Sequence, residues 1–107
     1  MAKIEIYLSM EQEPETQLIT DEECVEAMRL GKSEIVQRWH IGQEKIADQD
    51  PTARGRIAMD IKLGRLQLAA GLVDSARETL LMASEYAYQL YDDESIKHIQ
   101  EILDQIG

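Results

Sequence analysis

The chain has 107 residues, 44% apolar and 30% charged, as expected of one globular domain with a modest core. It has a single Cys, no signal-peptide pattern and no apolar run long enough to span a membrane, so we expect a cytoplasmic protein without an internal disulfide. The net charge of −10 is concentrated at the two ends and leaves the middle neutral, which argues against nucleic-acid binding because that function needs a basic surface.

The first nineteen residues are predicted to be an N-terminal extended segment (1–19) ahead of a helical domain (20–107). Apolar and polar side chains alternate in residues 3–10, which favours a strand, although a frayed terminus or the first turns of a helix fits as well. A lone strand would pair with a partner chain, pair with a second copy or lie along a helical groove. Residues 11–17 are acidic, contain Pro14 and lack periodicity, so they are predicted to be a linker.

Two helices are predicted next. Thr20 with Glu23 three residues later forms a capping box, which starts a helix that ends near Gly31. Its apolar face carries Cys24, a small hydrophobe that we expect to be buried. Ser33 is a candidate N-cap for the second helix. The repeating positions of that helix are Ile35, Trp39, Gly42 and Ile46.

The longest predicted helix covers 51–70, with Asp50 as N-cap and Pro51 at its first position. At about 100° per residue, its apolar side chains fall on two opposed faces. One face holds Met59, Leu63, Leu66 and Ala70, and the other holds Ile57, Ile61, Gly64 and Leu68. A helix that is apolar on two opposed faces is expected to be packed from both sides.

Two further helices complete the all-α prediction of about five helices. Gly71 permits a tight turn, after which Asp74 is a candidate cap. The stripe of the following helix is Val73, Ala76, Leu80, Ala83, Ala87 and Leu90. Asp92 or Asp93 is predicted to cap a last helix with a polar outer face. The apolar positions of that helix are Ile96, Ile99, Leu103 and Ile106.

The stretch 57–91 resembles a tetratricopeptide repeat, a pair of antiparallel helices of about thirty-four residues. The matching positions are Leu63, Gly64, Gly71, Ala76, Leu80 and Ala83. The usual aromatic, tyrosine and proline of the motif are replaced by Asp60, Gln67 and Tyr88. The resemblance implies an antiparallel helical array, a last helix that caps it, and a concave groove lined by one side of each first helix.

On the long helix, that side carries cations and alanines between the two apolar faces. These residues are Arg54, Ala58, Lys62, Arg65 and Ala69. By the resemblance, they are the expected partner-binding surface, where Lys62 and Arg65 would hold a carboxylate. Salt bridges from these cations to neighbouring acidic helices are the alternative. The leading hypothesis is a non-enzymatic adaptor or chaperone-like module that binds a partner peptide in a groove beside helix 51–70.

A second hypothesis is a self-assembling homo-oligomer whose copies meet through Ile4, Ile6 and Leu8. An enzyme is not expected, because the sequence contains no assembled set of catalytic residues. No cofactor is expected either, since Gly-x-Gly-x-x-Gly and P-loop motifs are missing. No metal site is predicted, because His40 and His98 lie far apart and lack metal-ligand spacing, and His40 with Glu44 indicates a helix-surface contact instead.

Overall fold

The computed structural model describes residues 18–107, and this part of the chain is all-α. Its helices are α1 (Asp21–Leu30), α2 (Ser33–Ala47), α3 (Arg54–Ala69), α4 (Val73–Gln89) and α5 (Asp93–Ile106). The prediction of an all-α array of about five helices is confirmed. The predicted strand at 3–10, the linker at 11–17 and the homodimer contact lie outside the described residues. None of the described helices is long and apolar enough to cross a membrane.

Two of the predicted N-caps and one predicted helix end are confirmed. The backbone N–H of Glu23 donates to Thr20 Oγ1 at 3.0 Å, and the N–H of Thr20 donates to Glu23 Oε1 at 2.8 Å. Both bonds of the capping box are therefore present at the start of α1. Gly31 ends α1 with a left-handed φ of 73°, and Asp92 accepts a bond from the N–H of Ser95 at the start of α5.

The predicted caps Ser33 and Asp74 are wrong. Lys32 and Leu72 occupy the N-cap positions of α2 and α4, and neither makes a side-chain capping bond. Ser33 and Asp74 lie one and two residues later, inside the first helical turn. The turns after α1 and α3 contain the left-handed residues Gly31 and Gly71. The backbone conformation of each turn, rather than a polar side chain, therefore decides where the next helix begins.

The long helix begins at Arg54, three residues later than predicted from Asp50 and Pro51. Asp50 Oδ1 accepts bonds from the backbone N–H of Thr52 at 2.8 Å and from its hydroxyl at 2.6 Å. These bonds close a local turn at Asp50, which lowers the pKa of its carboxyl. The side chain is thus used in the turn before the helix, and Ala53 with a φ of 67° takes the N-cap position.

Helix α3 lies at the centre and contacts each of the other four helices. Ile57 on one of its predicted faces is fully buried, and Met59 on the other is 4% exposed, which confirms packing from both sides. Gly64 meets α4 so closely that a Cβ there would lie 2.8 Å from the Leu80 side chain. A core cluster joins α4 to α5 and consists of Leu80, Ala83, Ile99 and Ile102. In the first hairpin, Trp39 of α2 is 1% exposed and bonds to Asp21 of α1.

The two ends of the first hairpin give a paired stability prediction. We expect Thr20→Ala to lower the free energy of unfolding by about 1 kcal/mol, because α1 then loses a bonded N-cap. Ser33→Ala is the matched control, and we expect almost no change because Ser33 makes no capping bond. Urea unfolding followed by circular dichroism measures both variants. Equal losses in the two variants would contradict the assignment of the caps.

Candidate functional site

One strip of α3 stays exposed between its two buried faces. We call it the α3 strip, and it consists of the five predicted residues Arg54, Ala58, Lys62, Arg65 and Ala69. All five are exposed. They share one side of the helix because steps of three and four residues bring side chains to the same face. The structure therefore brings the five predicted residues together as one accessible surface.

Lys62 is in contact with the first two helices. Its Nζ lies 3.8 Å from Asp21 Oδ2 and 3.4 Å from Gln43 Oε1. Both partners of the ion pair are close to half exposed, so water screens the attraction and the pair contributes little to stability. Asp21 also accepts a 2.9 Å bond from Trp39 Nε1. Lys62 therefore has a weak internal ion pair rather than a buried one.

Arg54 at the other end of the strip faces the last helix. Its Nε lies 3.9 Å from Asp92 Oδ2, which is a long ion pair. Asp92 is 6% exposed and caps α5, and the hydroxyl of Ser95 donates to its Oδ2 at 2.7 Å. The Ser95 bonds lower the pKa of Asp92, so this carboxylate is ionised and faces Arg54 at neutral pH. Arg54 is thus partly occupied by a structural carboxylate.

Arg65 differs from the other two cations. It is exposed and makes no ion pair or hydrogen bond with any residue in the range 18–107. Its neighbours on the strip are Lys62 one turn before it and Ala69 one turn after it, and the short side chain of Ala69 leaves room beside the guanidinium. A planar guanidinium is suited to bidentate recognition of a carboxylate. Arg65 is therefore the residue of the strip with most capacity to hold a partner.

A groove of about 440 Å³ runs between α1 and the C-terminal half of α3. Val25, Leu66 and Ala69 form its apolar part, and Arg29 closes one end by donating to the backbone oxygen of Ala69 at 3.0 Å. We call it the α1–α3 groove. Its α1 wall is acidic, with Asp21, Glu22 and Glu26. The apolar part of the groove therefore lies between the acidic side chains of α1 and the cations of the α3 strip.

Sequence reasoning missed a larger hollow on the opposite side of α3. It measures about 520 Å³ and is lined by apolar side chains from α1, α2 and α3, including Met28, Val36 and Leu63. Leu63 was predicted to lie on a buried face of the long helix because of its helical spacing, and periodicity does not show that a face is left partly open.

A polar cluster lies where α2 crosses α3. His40 Nε2 is 3.4 Å from Glu44 Oε2, which confirms the predicted surface contact, and Arg56 Nη1 lies 3.8 Å from the same oxygen. Partial burial raises the pKa of Asp60 nearby, while Arg56 and His40 act in the opposite direction. Within residues 18–107, no three His, Cys, Asp or Glu side chains are grouped as metal ligands would be.

Comparison with known proteins adds no assignment. No protein-family model, no curated protein and no solved structure matches the chain. The resemblance to tetratricopeptide repeats therefore stays a prediction from the residues of α3 and α4.

Proposed function

We propose that this chain is a non-enzymatic protein-interaction module, adaptor or chaperone-like, that holds a partner peptide beside α3. The observation that carries the proposal is Arg65, an exposed arginine without a partner in the described chain, on the exposed strip of a helix that contacts all four other described helices. A cation held on a rigid central helix is positioned before the partner arrives, which lowers the ordering cost of binding.

The chemistry of the surface defines the peptide. An acidic side chain would bind Arg65, and an apolar side chain would lie on Leu66 and Ala69 in the α1–α3 groove. A basic side chain of the partner would face Glu22 and Glu26 on the α1 wall. The tetratricopeptide resemblance supports the same surface, since it places the concave groove on this side of α3. A cytoplasmic location is part of the proposal.

Charge reversal at Arg65 tests the proposal. Peptides selected from a random display library on the full chain provide the probe, and their dissociation constants are measured by fluorescence anisotropy. We expect Arg65→Glu to weaken the selected peptides at least about tenfold, because a charge-assisted hydrogen bond is replaced by repulsion. Arg65 is a cleaner target than Lys62, since Lys62→Glu would also place two carboxylates side by side at Asp21.

Lys97→Glu is the matched control, because it makes the same change of charge at an exposed position of α5. It should leave the affinity unchanged, and circular dichroism should show equal helix content in both variants. Peptides that bind Arg65→Glu as tightly as the unaltered chain would exclude the α3 strip as the binding surface.

A further inference from the structure

The α1–α2 hairpin carries an apolar surface on the side where the described chain begins. We call it the outer face, and it consists of Leu18, Ile19, Leu30, Ile35 and Ile46. Leu18, Leu30 and Ile46 are 69%, 58% and 51% exposed, and Ile19 and Ile35 are partly buried. On α4 and α5, Leu80, Ala83, Ile99 and Ile102 are buried in a common cluster, while Leu81, Met82 and Tyr88 on the other side of α4 are exposed.

The residues of the outer face belong to one surface. Ile19, Leu30 and Ile35 line a common hollow of about 230 Å³ between α1 and α2. Leu18 lies against Gly42, where a Cβ would be 3.4 Å from Leu18 Cδ2. Ile35 precedes Gly42 by two helical turns and Ile46 follows it by one, so both lie on its side of α2, where Ile46 also borders a hollow that reaches Ala58 and Lys62 of α3. Contiguous exposed apolar patches often mark interaction surfaces.

We infer that the outer face is the docking site of this chain's own N-terminal segment, residues 3–10. The first described residues lie at this face, where Leu18 is next to Gly42 and Ile19 lines the adjoining hollow. Residues 11–17 can span at most about 25 Å, and α2 is about 22 Å long, so residues 3–10 can reach every part of the face. A short tether gives the segment an effective concentration at the face on the order of millimolar.

The chemistry of the segment fits the surface. Alternation places one row of apolar side chains on a single side of residues 3–10, and this row matches the apolar outer face. The row is Ile4, Ile6, Leu8 and Met10. Residues 11–17 carry three glutamates, and the exposed Lys45 follows Gly42 by one turn of α2, so opposite charges favour placement of the segment at this end of the face. The hollow at the other end is lined by Glu23 and Glu26 as well as by Lys32 and Arg38. The outer face borders the candidate peptide site, since Glu26 also lines the α1–α3 groove and Ile46 lines a hollow with Lys62.

A paramagnetic label tests the placement directly. Ser9→Cys is labelled with a nitroxide on the full chain, and the fully buried Cys24 does not compete for the reagent. In an ¹⁵N spectrum, we expect the amides of Gly42 and Ile46 to lose most of their intensity. The amides of Leu81 and Tyr88, on the exposed side of α4, serve as controls and should keep theirs. Unbroadened amides at Gly42 and Ile46 would overturn the inference.

A mixed sample distinguishes docking within one chain from docking on a second copy of the chain. The labelled chain without ¹⁵N is combined with an unlabelled ¹⁵N chain, and we expect no broadening of Gly42 or Ile46 in this mixture. Broadening that also appears in the mixture would mean that the segment of another molecule covers the face, and it would overturn docking within one chain.

The side of the segment that makes the contact is tested by substitution. Ile6→Asp should increase hydrogen exchange of α2 amides near Gly42 several-fold, because a carboxylate cannot remain on the apolar face. Tyr7→Asp also adds one negative charge, but among the polar positions of residues 3–10. It should leave hydrogen exchange of the α2 amides near Gly42 unchanged. Equal effects of the two variants would contradict the predicted alternation at the contact.

Discussion

Replacing Trp39 by alanine is expected to lower the free energy of unfolding by about 3–5 kcal/mol. Trp39 is 1% exposed and is the largest buried side chain of the first hairpin. On α1, the other helix of this hairpin, the short side chains of Cys24 and Ala27 are 0% and 2% exposed. Trp39 Nε1 also donates to Asp21, so truncation removes a bond to the first turn of α1 as well.

Trp39→Phe separates these two contributions. It keeps most of the ring and removes the bond to Asp21, so we expect a loss of about 1 kcal/mol from the bond and a smaller packing loss than in the alanine variant. Trp39 is the only tryptophan, so urea unfolding is followed by circular dichroism. Hydrogen exchange should rise first in α1, because Trp39 joins α1 to α2. A Trp39→Ala chain as stable as Trp39→Phe would show that Trp39 does not hold the hairpin.

The α2 pattern shows how far the sequence predicts burial. Ile35, Trp39, Gly42 and Ile46 were predicted to share a face, and Trp39 is indeed buried, but Ile46 is 51% exposed. Helical spacing identifies residues that point in similar directions. It does not say which direction another element covers, because that depends on contacts between residues distant in the chain. The same reason explains Val73, which was predicted in the buried stripe of α4 and is 41% exposed.

Helix starts were predictable only where the side chain bonds locally to the helix that it precedes. The capping box of Thr20 and Glu23 is specified within four residues, and the structure contains it. Asp50 carries an equally good cap side chain, yet it bonds to Thr52 in a turn, and α3 starts at Arg54. Asp and Ser side chains form turns and caps by the same hydrogen bonds, so residue type alone does not decide between the two.

The positions of the candidate site residues on the helix were predictable, but the residues with which they form ion pairs were not. The helical wheel of 51–70 placed Arg54, Lys62 and Arg65 on one strip, and all three are exposed. The pairing of Lys62 with Asp21 joins residues 41 positions apart, and only the packing of α1 on α3 brings them together. Salt bridges were the stated alternative for this strip, and they apply to Lys62 and Arg54 but not to Arg65 within the described chain.

The second large effect is expected at the contact between α3 and α4. Leu80 is fully buried and belongs to the core cluster with Ala83, Ile99 and Ile102. We expect Leu80→Ala to lower the free energy of unfolding by about 2–5 kcal/mol, because the rigid helices around it cannot close the space. Leu81→Ala is the matched control: Leu81 is 51% exposed, and its truncation should change stability by less than about 0.5 kcal/mol. Similar losses at the two neighbouring leucines would contradict the assigned orientation of α4.

Gly64 allows the same contact to be tested from the α3 side. A Cβ at Gly64 would lie 2.8 Å from Leu80 Cγ and Cδ2, so Gly64→Val alone should overpack the contact and cost about 1–3 kcal/mol. In the double variant with Leu80→Ala, the valine would occupy space that the leucine has left. We therefore expect the combined loss to be smaller than the sum of the single losses by about 0.5–3 kcal/mol, the range measured for residues in contact. Strictly additive losses would mean that Gly64 and Leu80 do not touch. The close approach of α3 to α4 would then depend on other residues.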